Sequence, residues 1–350
     1  MIERNPRTGW WEVRSDAEVR AVLGDPARFS SEPMGDLDRV LIGADPPEHA
    51  VVRRLVAASL RATAVTDERI AAIARELLAP MLAAGQGDAV RELARPLAAA
   101  ATAAQLGIDQ ERAGDLLRFG DAVAEVADGK DADHAVFAEL NIAVAQWAAS
   151  RRSCPMGDGI SIVVTGARGQ AQLRPREVRS LVRLLVVAGI VTSARLSAGV
   201  LLATAGDPEL QARLRAEPGQ APLAVEEALR RDPPLRFVLR KVAGEGVTVD
   251  GTALPAGALV ACRLDHANRD AGAHPDPERF DVDRDASHVA FGAGAHRCPG
   301  AGLARRQAKV LLQTVLAATT ELAPAGDVAW DRERHLQGPA IVPLRVVART

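Results

Sequence analysis

The stretch from Leu184 to Ala205, LLVVAGIVTSARLSAGVLLATA, constrains the fold more than any other part of the chain. Its length would span a bilayer, but Arg195 sits in its middle. A guanidinium at the centre of a membrane costs ~2.5–3.5 kcal/mol even on a lenient insertion scale. The better reading is a helix buried in the core of a soluble protein. PREVRSLVRLL leads into it, with Pro175 near the first turn. The pattern predicts an unbroken helix to about Ala205, ~31 residues and on the order of 46 Å long. So long an apolar rod needs many other elements to cover it. A chain of 350 residues with 48% hydrophobic side chains supplies them, and 29 Gly with 21 Pro leave no room for a collagen-like or low-complexity reading.

The rest reads as mostly helical, with a β-rich start and a β-containing segment near 235–265. GWWEVRS reads as a short strand, and Asp16 is expected to cap the helix DAEVRAVLGDP, which stops at Gly24 and Pro26. PPEHAVVRRLVAASLRA, ERIAAIARELLAPMLAAG and AVRELARPLAAAATAAQLG follow as helices, the last interrupted by a Pro. Residues 110–152 look helical apart from the loop DGKDAD, and MGDGISIVVTGARGQAQ reads as a Gly-rich connection. Gly206 ends the long helix and Asp207-Pro208 opens another; APLAVEEALRR stops at Pro233-Pro234. RFVLRKV and VTVDGTALPAGALVACRLD alternate as strands and hairpins. A loop covers 268–300, and LARRQAKVLLQTVLAAT is the last long helix. No repeat or linker divides the chain, so a single domain over 1–350 is expected.

A net charge of −2 argues against a nucleic-acid-binding field, and no apolar N-terminal h-region marks a secretory signal. Three scattered cysteines, Cys154, Cys262 and Cys298, do not make a disulfide framework, which points to a reducing cytoplasm. Tyrosine is absent, so no tyrosyl acid or radical is available, and only Lys130, Lys241 and Lys309 are lysines.

The segment that carries chemistry is FGAGAHRCPG, Phe291–Gly300, directly before the last long helix. It presents Cys298 at a helix N-terminus, where unpaired N–H groups, the helix dipole and Arg297 favour a thiolate. Gly292 and Gly294 permit backbone shapes that a side chain would block, and Gly300 lets a flat group lie near the sulfur. The bland alternative is a small buried hydrophobe. Zinc is weaker, since His296 and Cys298 have no second ligand pair. His266, His274 and His288 could in principle supply non-haem iron, but they sit in loops without a matching carboxylate pattern.

This segment resembles the haem-ligand signature of the cytochrome P450 family. Further segments match in the family's order: DPPEHAVVRR with His49 and Arg53 one turn apart, AGIVTS (Ala188–Ser193) in the longest helix, the Glu227-x-x-Arg230 pair in EEALRRDPP, and PERF (Pro277–Phe280). The resemblance covers essentially the whole chain. It implies a mainly α fold with a smaller β region and a long central helix over the haem. It also implies haem b (iron protoporphyrin IX) held by Cys298 as a thiolate.

By the same resemblance, His49, Arg53, Arg240 and His296 bind the propionates, Phe291 screens the thiolate, and Gly292 and Gly300 shape the loop. Arg279 is implied to complete a Glu227–Arg230–Arg279 network. Ala188 and Gly189 leave room over the iron, and Thr192 relays protons. The family usually places an acid just before that threonine; here Val191 stands there. The fourteen residues from Glu32 to Asp45 make a short lid, which fits either a wide mouth for a large or carrier-bound substrate or a loop that is disordered or folded inward.

The implied activity is a cytoplasmic monooxygenase acting on a small organic molecule in natural-product biosynthesis, without membrane or nucleic acid. Electrons would come from a ferredoxin-type partner docking on Arg297, Arg305, Arg306 and Lys309, since the chain has no flavin or nicotinamide motif. Val191 motivates a peroxide-driven or oxidative-coupling alternative. A non-catalytic helper that activates a glycosyltransferase is the second alternative, against which stands the intact Cys298 loop.

Overall fold

Caps, glycines and prolines cut the chain into its elements. A computed structural model describes residues 2–34, 40–62, 65–131, 133–166, 173–285, 287–332 and 335–349. In chain order they form β1 (Ile2–Arg4), β2 (Trp11–Val13), α1 (Asp16–Gly24), β3 (Phe29–Ser30), α2 (Glu48–Ala62), α3 (Asp67–Ala84) and β4 (Gln86–Asp88). A π-helical turn, Ala89–Ala94, leads into α4 (Arg95–Leu106), then α5 (Ala113–Ala127), α6 (His134–Ser153) and α7 (Gly159–Thr165). The long helix follows as α8 (Pro175–Ala188) and α9 (Ile190–Ala205), then α10 (Pro208–Ala216) and α11 (Ala221–Arg231). Strands β5 (Phe237–Val242), β6 (Val247–Val249), β7 (Thr252–Leu254) and β8 (Leu259–Arg263) precede the short α12 (Leu264–Ala267) and α13 (Ala301–Ala318). Strands β9 (Thr319–Pro324), β10 (Ala329–Arg332), β11 (Gln337–Ile341) and β12 (Pro343–Ala348) end the chain.

The expected mainly α fold with a smaller β region is what the chain adopts. One five-stranded sheet runs β1-β2-β8-β5-β3, with β2 and β8 parallel. Sequence patterning misses the C-terminal strands: β4-β12-β9 form a three-stranded sheet and β10-β11 a hairpin. In β10 and β11 the side chains alternate poorly between buried and exposed, so period-2 signals are faint there.

Four local expectations change. Ser15, not Asp16, caps α1: its hydroxyl accepts from Glu18 N–H at 3.3 Å, while Asp16 pairs with Arg20 at 2.7 Å. The Pro of RPLAAAA falls at the start of α4, after the π-turn, where its missing N–H costs nothing. Part of the supposed Gly-rich connection is α7, capped by Asp158, which accepts from Ser161 N–H at 2.7 Å; residues 167–172 lie outside the described residues. The long helix is not continuous. It is interrupted at Gly189, and Thr192 Oγ1 donates back to the Ala188 carbonyl at 2.8 Å. Such i−4 bonding bends helices, and glycine offers the least resistance to the break.

The core reading of this rod holds. Pro175–Ala205 is apolar enough to cross a membrane by composition, yet 61% of its most apolar window is buried. Arg195 is mostly covered and meets Asp331 of β10 at 3.3 Å. The two halves serve largely different cores: α9 packs with α4, α11 and α13, and α8 with α5–α7.

Candidate functional site

Cys298 stands where the loop reaches α13. Its N–H donates to the Phe291 carbonyl at 2.8 Å, closing the loop on itself. Gly292 and Gly294 both sit at positive φ, +69° and +65°, and a Cβ on Gly294 would overlap the Leu23 carbonyl of α1. A Cβ on Gly300 would lie 3.8 Å from the sulfur, so glycine leaves that side low. The thiol is not poised as an anion by the protein alone. Burial pushes it up, while N–H groups of Gly300 and Ala301 and the charges of Arg53 and Arg305 pull the other way. The helix terminus acts in the expected sense, but burial outweighs it.

Four residues assigned to the propionates come together. His49 and Arg53 lie four apart on α2, Arg240 comes from β5, and His296 from the cysteine loop. The rings of His49 and His296 are 4.0 Å apart at 42°. Both Nε2 atoms are buried without a hydrogen-bond partner among the described residues. Arg240 is buried too, with Nη1 donating to the Leu239 carbonyl at 2.8 Å. Burial, then the charges of His49 and Arg240, push His296 down to about 3. Burial and Arg53 likewise lower His49. Polar atoms this deep normally have partners. Two arginines beside two histidines with unpartnered ring nitrogens make a site for anions, and two propionates would supply them. The donor set therefore fits a haem.

On the helix break, Ala188 is exposed although its neighbours Val186, Val187 and Ile190 are buried. Gly189, Val191 and Thr192 are half-buried beside it. The Thr192 proton is engaged by the Ala188 carbonyl, so the hydroxyl is not a ready donor as it stands.

The network expected of Glu227, Arg230 and Arg279 forms only in part. Glu227 and Arg230 are fully buried and joined by two bonds of 2.7 and 2.8 Å. Arg279 is exposed and gives the network only its backbone carbonyl, which accepts from Arg230 at 3.3 Å. The second guanidinium is that of Arg284, 3.5 Å from Glu227 and almost fully covered. The motif spacing pointed to the PERF arginine. An arginine five residues further on was the available signal, but only the turn at 281–284 shows which one points inward.

The histidine iron set is dispersed. His266 lies by Asp265, His274 is buried near Arg230, and His288 pairs with Glu226 at 3.2 Å. No group of three or more metal-binding side chains occurs among the described residues. The basic docking patch is also mostly engaged. Arg305 forks onto Glu226 at 2.6 and 2.8 Å, and Arg306 and Lys309 both pair with Asp67, at 3.2 and 2.5 Å. Arg297 alone of the four is exposed. Of the lid, residues 35–39 lie outside the described residues, but both flanks tie inward. Asp45 accepts from Ser30 Oγ at 2.6 Å and Ser31 N–H at 2.8 Å, and Val40 and Leu41 are buried.

With this geometry in place, similarity to known proteins can be read. The family profile for cytochrome P450 matches residues 136–329. The cytochrome P450 monooxygenase PikC of Streptomyces venezuelae is 32% identical over 353 residues, covering 96% of this chain and 85% of its own. The erythromycin C-12 hydroxylase of Saccharopolyspora erythraea is 32% identical over 367 residues, covering 96% and 89%. A solved cytochrome P450 from Chondromyces apiculatus superposes with a TM-score of 0.90 at 30% identity, over 99% of this chain and 92% of the other.

Proposed function

The chain belongs to the cytochrome P450 family and is a monooxygenase with a haem-thiolate centre; from that premise we propose that it oxidises a small organic molecule of natural-product biosynthesis, in the cytoplasm, with electrons from a separate ferredoxin-type protein. The observation that carries the residue assignment is the pair of buried histidines with orphaned Nε2 atoms, set among Arg53 and Arg240. Such a set is costly to bury without anions and becomes favourable once haem b brings its propionates. Cys298 would hold the haem iron through its thiolate. The substrate assignment follows the erythromycin hydroxylase, whose name states its substrate class.

Bound haem with a thiolate ligand activates dioxygen, using two electrons and two protons to place one oxygen atom in the substrate and release the other as water. The residues of the chain do the positioning. Phe291, whose carbonyl accepts the Cys298 N–H, would screen the thiolate. Ala188 and Gly189 leave room where a larger side chain would fill the space. Thr192 can pass a proton only after its hydroxyl leaves the Ala188 carbonyl, and Val191 cannot replenish it. Water or a polar group of the substrate must do so.

Val191 also favours a second reading, peroxide-driven or coupling chemistry at the same centre. One experiment tests both. The reduced, carbon-monoxide-treated protein should show the thiolate-haem spectrum; a colourless protein would remove every catalytic reading and leave the helper role. Product formation with reduced ferredoxin and dioxygen supports the monooxygenase proposal, whereas product with hydrogen peroxide only supports the second.

A further inference from the structure

We propose that Glu226 is a positioning residue for the Cys298 loop, acting through Arg305 and His288 to seat the Phe291 ring and to balance the charge on the sulfur side of the haem. The inference rests on the haem-thiolate reading above. One residue along a helix turns by about 100°. Glu227 therefore serves Arg230 in the core while its neighbour Glu226 serves another set.

Arg305 grips Glu226 with both arms of its fork, Nε to Oε1 at 2.6 Å and Nη2 to Oε2 at 2.8 Å. The same guanidinium lies 4.6 Å from the centre of the Phe291 ring, within reach of a cation–π contact. His288 approaches from the other side. Its Nδ1 accepts the Ala290 N–H at 3.2 Å, which leaves the ring proton on Nε2, 3.2 Å from Glu226. The His288 and Phe291 rings are 6.1 Å apart. Asn268 takes the Val289 N–H at 2.8 Å, and the Phe291 carbonyl takes the Cys298 N–H at 2.8 Å. One carboxylate thus orients two groups that flank the ring next to the ligand. A purely structural pair would not need a cation laid on that ring.

The arrangement makes a signed prediction. Reduction adds negative charge to the haem centre, so an unbalanced cation nearby favours the reduced form and an unbalanced carboxylate disfavours it. Spectroelectrochemical titration of the substrate-free holoprotein should show a higher ferric/ferrous midpoint in Glu226→Gln and a lower one in Arg305→Gln. The double variant should return toward the parent, and Arg305→Lys, which keeps the charge, should stay near it. Unchanged midpoints, or single variants that shift in the same direction, would overturn the proposal. If neither single variant loads haem, a double variant that loads at the parent midpoint supports it, because the cost then lies in the unpaired charge. A double variant that also fails to load makes the cluster a folding element and overturns it. A parent protein without the thiolate spectrum would instead remove the haem-thiolate reading itself.

Discussion

At the residue scale, three sulfur atoms are available, and their surroundings separate them more than their chemistry does. Cys154 is exposed at the end of α6, and Cys262 is wholly buried on β8, where burial pushes its thiol up to about 12. Only Cys298 combines backbone donors, a glycine floor and an open side. Cys298→Ser should therefore abolish the thiolate-haem spectrum, checked in the reduced, carbon-monoxide-treated protein. An unchanged spectrum would move the ligand elsewhere. The arginines near Glu227 give a second comparison. Removing one partner of a buried ion pair costs about 3–5 kcal/mol, so Glu227→Ala should leave little soluble holoprotein. Arg284→Ala should lower the thermal midpoint clearly, while Arg279→Ala, an exposed change, should stay within about 0.5 kcal/mol of the parent. The reverse ranking would restore Arg279 to the network.

At the element scale, the break between α8 and α9 and the loop before α13 decide the chemistry. Thr192→Ala removes the hydroxyl that bonds Ala188, and product formed per electron pair should fall several-fold, with peroxide released instead. Val191→Asp supplies the missing acid and should improve that yield for a poorly fitting substrate that leaves water in the site. Little gain is expected for the native substrate if its own polar group hands on the proton. A silent Thr192→Ala would make the peroxide-driven or coupling reading the leading one. The loop gives a steric test. Gly294→Ala combines a positive φ with overlap against the backbone of α1, so haem loading should drop sharply on purification. Full loading would show that the loop can move away from α1.

At the scale of the whole molecule, Glu226 links α11 to α13 and the cysteine loop across 79 residues of sequence. Burial opposes its ionisation, but hydrogen bonds from His288 and Arg305 draw its carboxyl down to about 2. A carboxyl lowered in this way stabilises the fold above its unfolded value, near 4.5, and that contribution is lost as pH falls toward 2. Denaturant midpoints of the holoprotein measured from pH 5 to pH 2 should fall less steeply in Glu226→Gln than in the parent. Equal slopes would mean that the carboxylate gains nothing from its partners.

What the sequence determined by itself was whatever neighbouring residues carry together. The Cys298 loop with its glycines, the Glu227-x-x-Arg230 spacing, the His49–Arg53 turn and the apolar rod around Arg195 are all local patterns, and the helical architecture was legible from them. The tertiary structure decided what depends on distant partners. It chose Arg284 over Arg279 because a turn aims one guanidinium inward and leaves the other in water. It tied up Arg305, Arg306 and Lys309, which a linear reading takes for a free basic surface, because Glu226 and Asp67 arrive from other helices. It interrupted the long helix at Gly189, where a threonine hydroxyl claims a carbonyl that no propensity scale singles out. It also assembled the C-terminal strands, whose pairing comes from chain brought back across the fold rather than from their own periodicity.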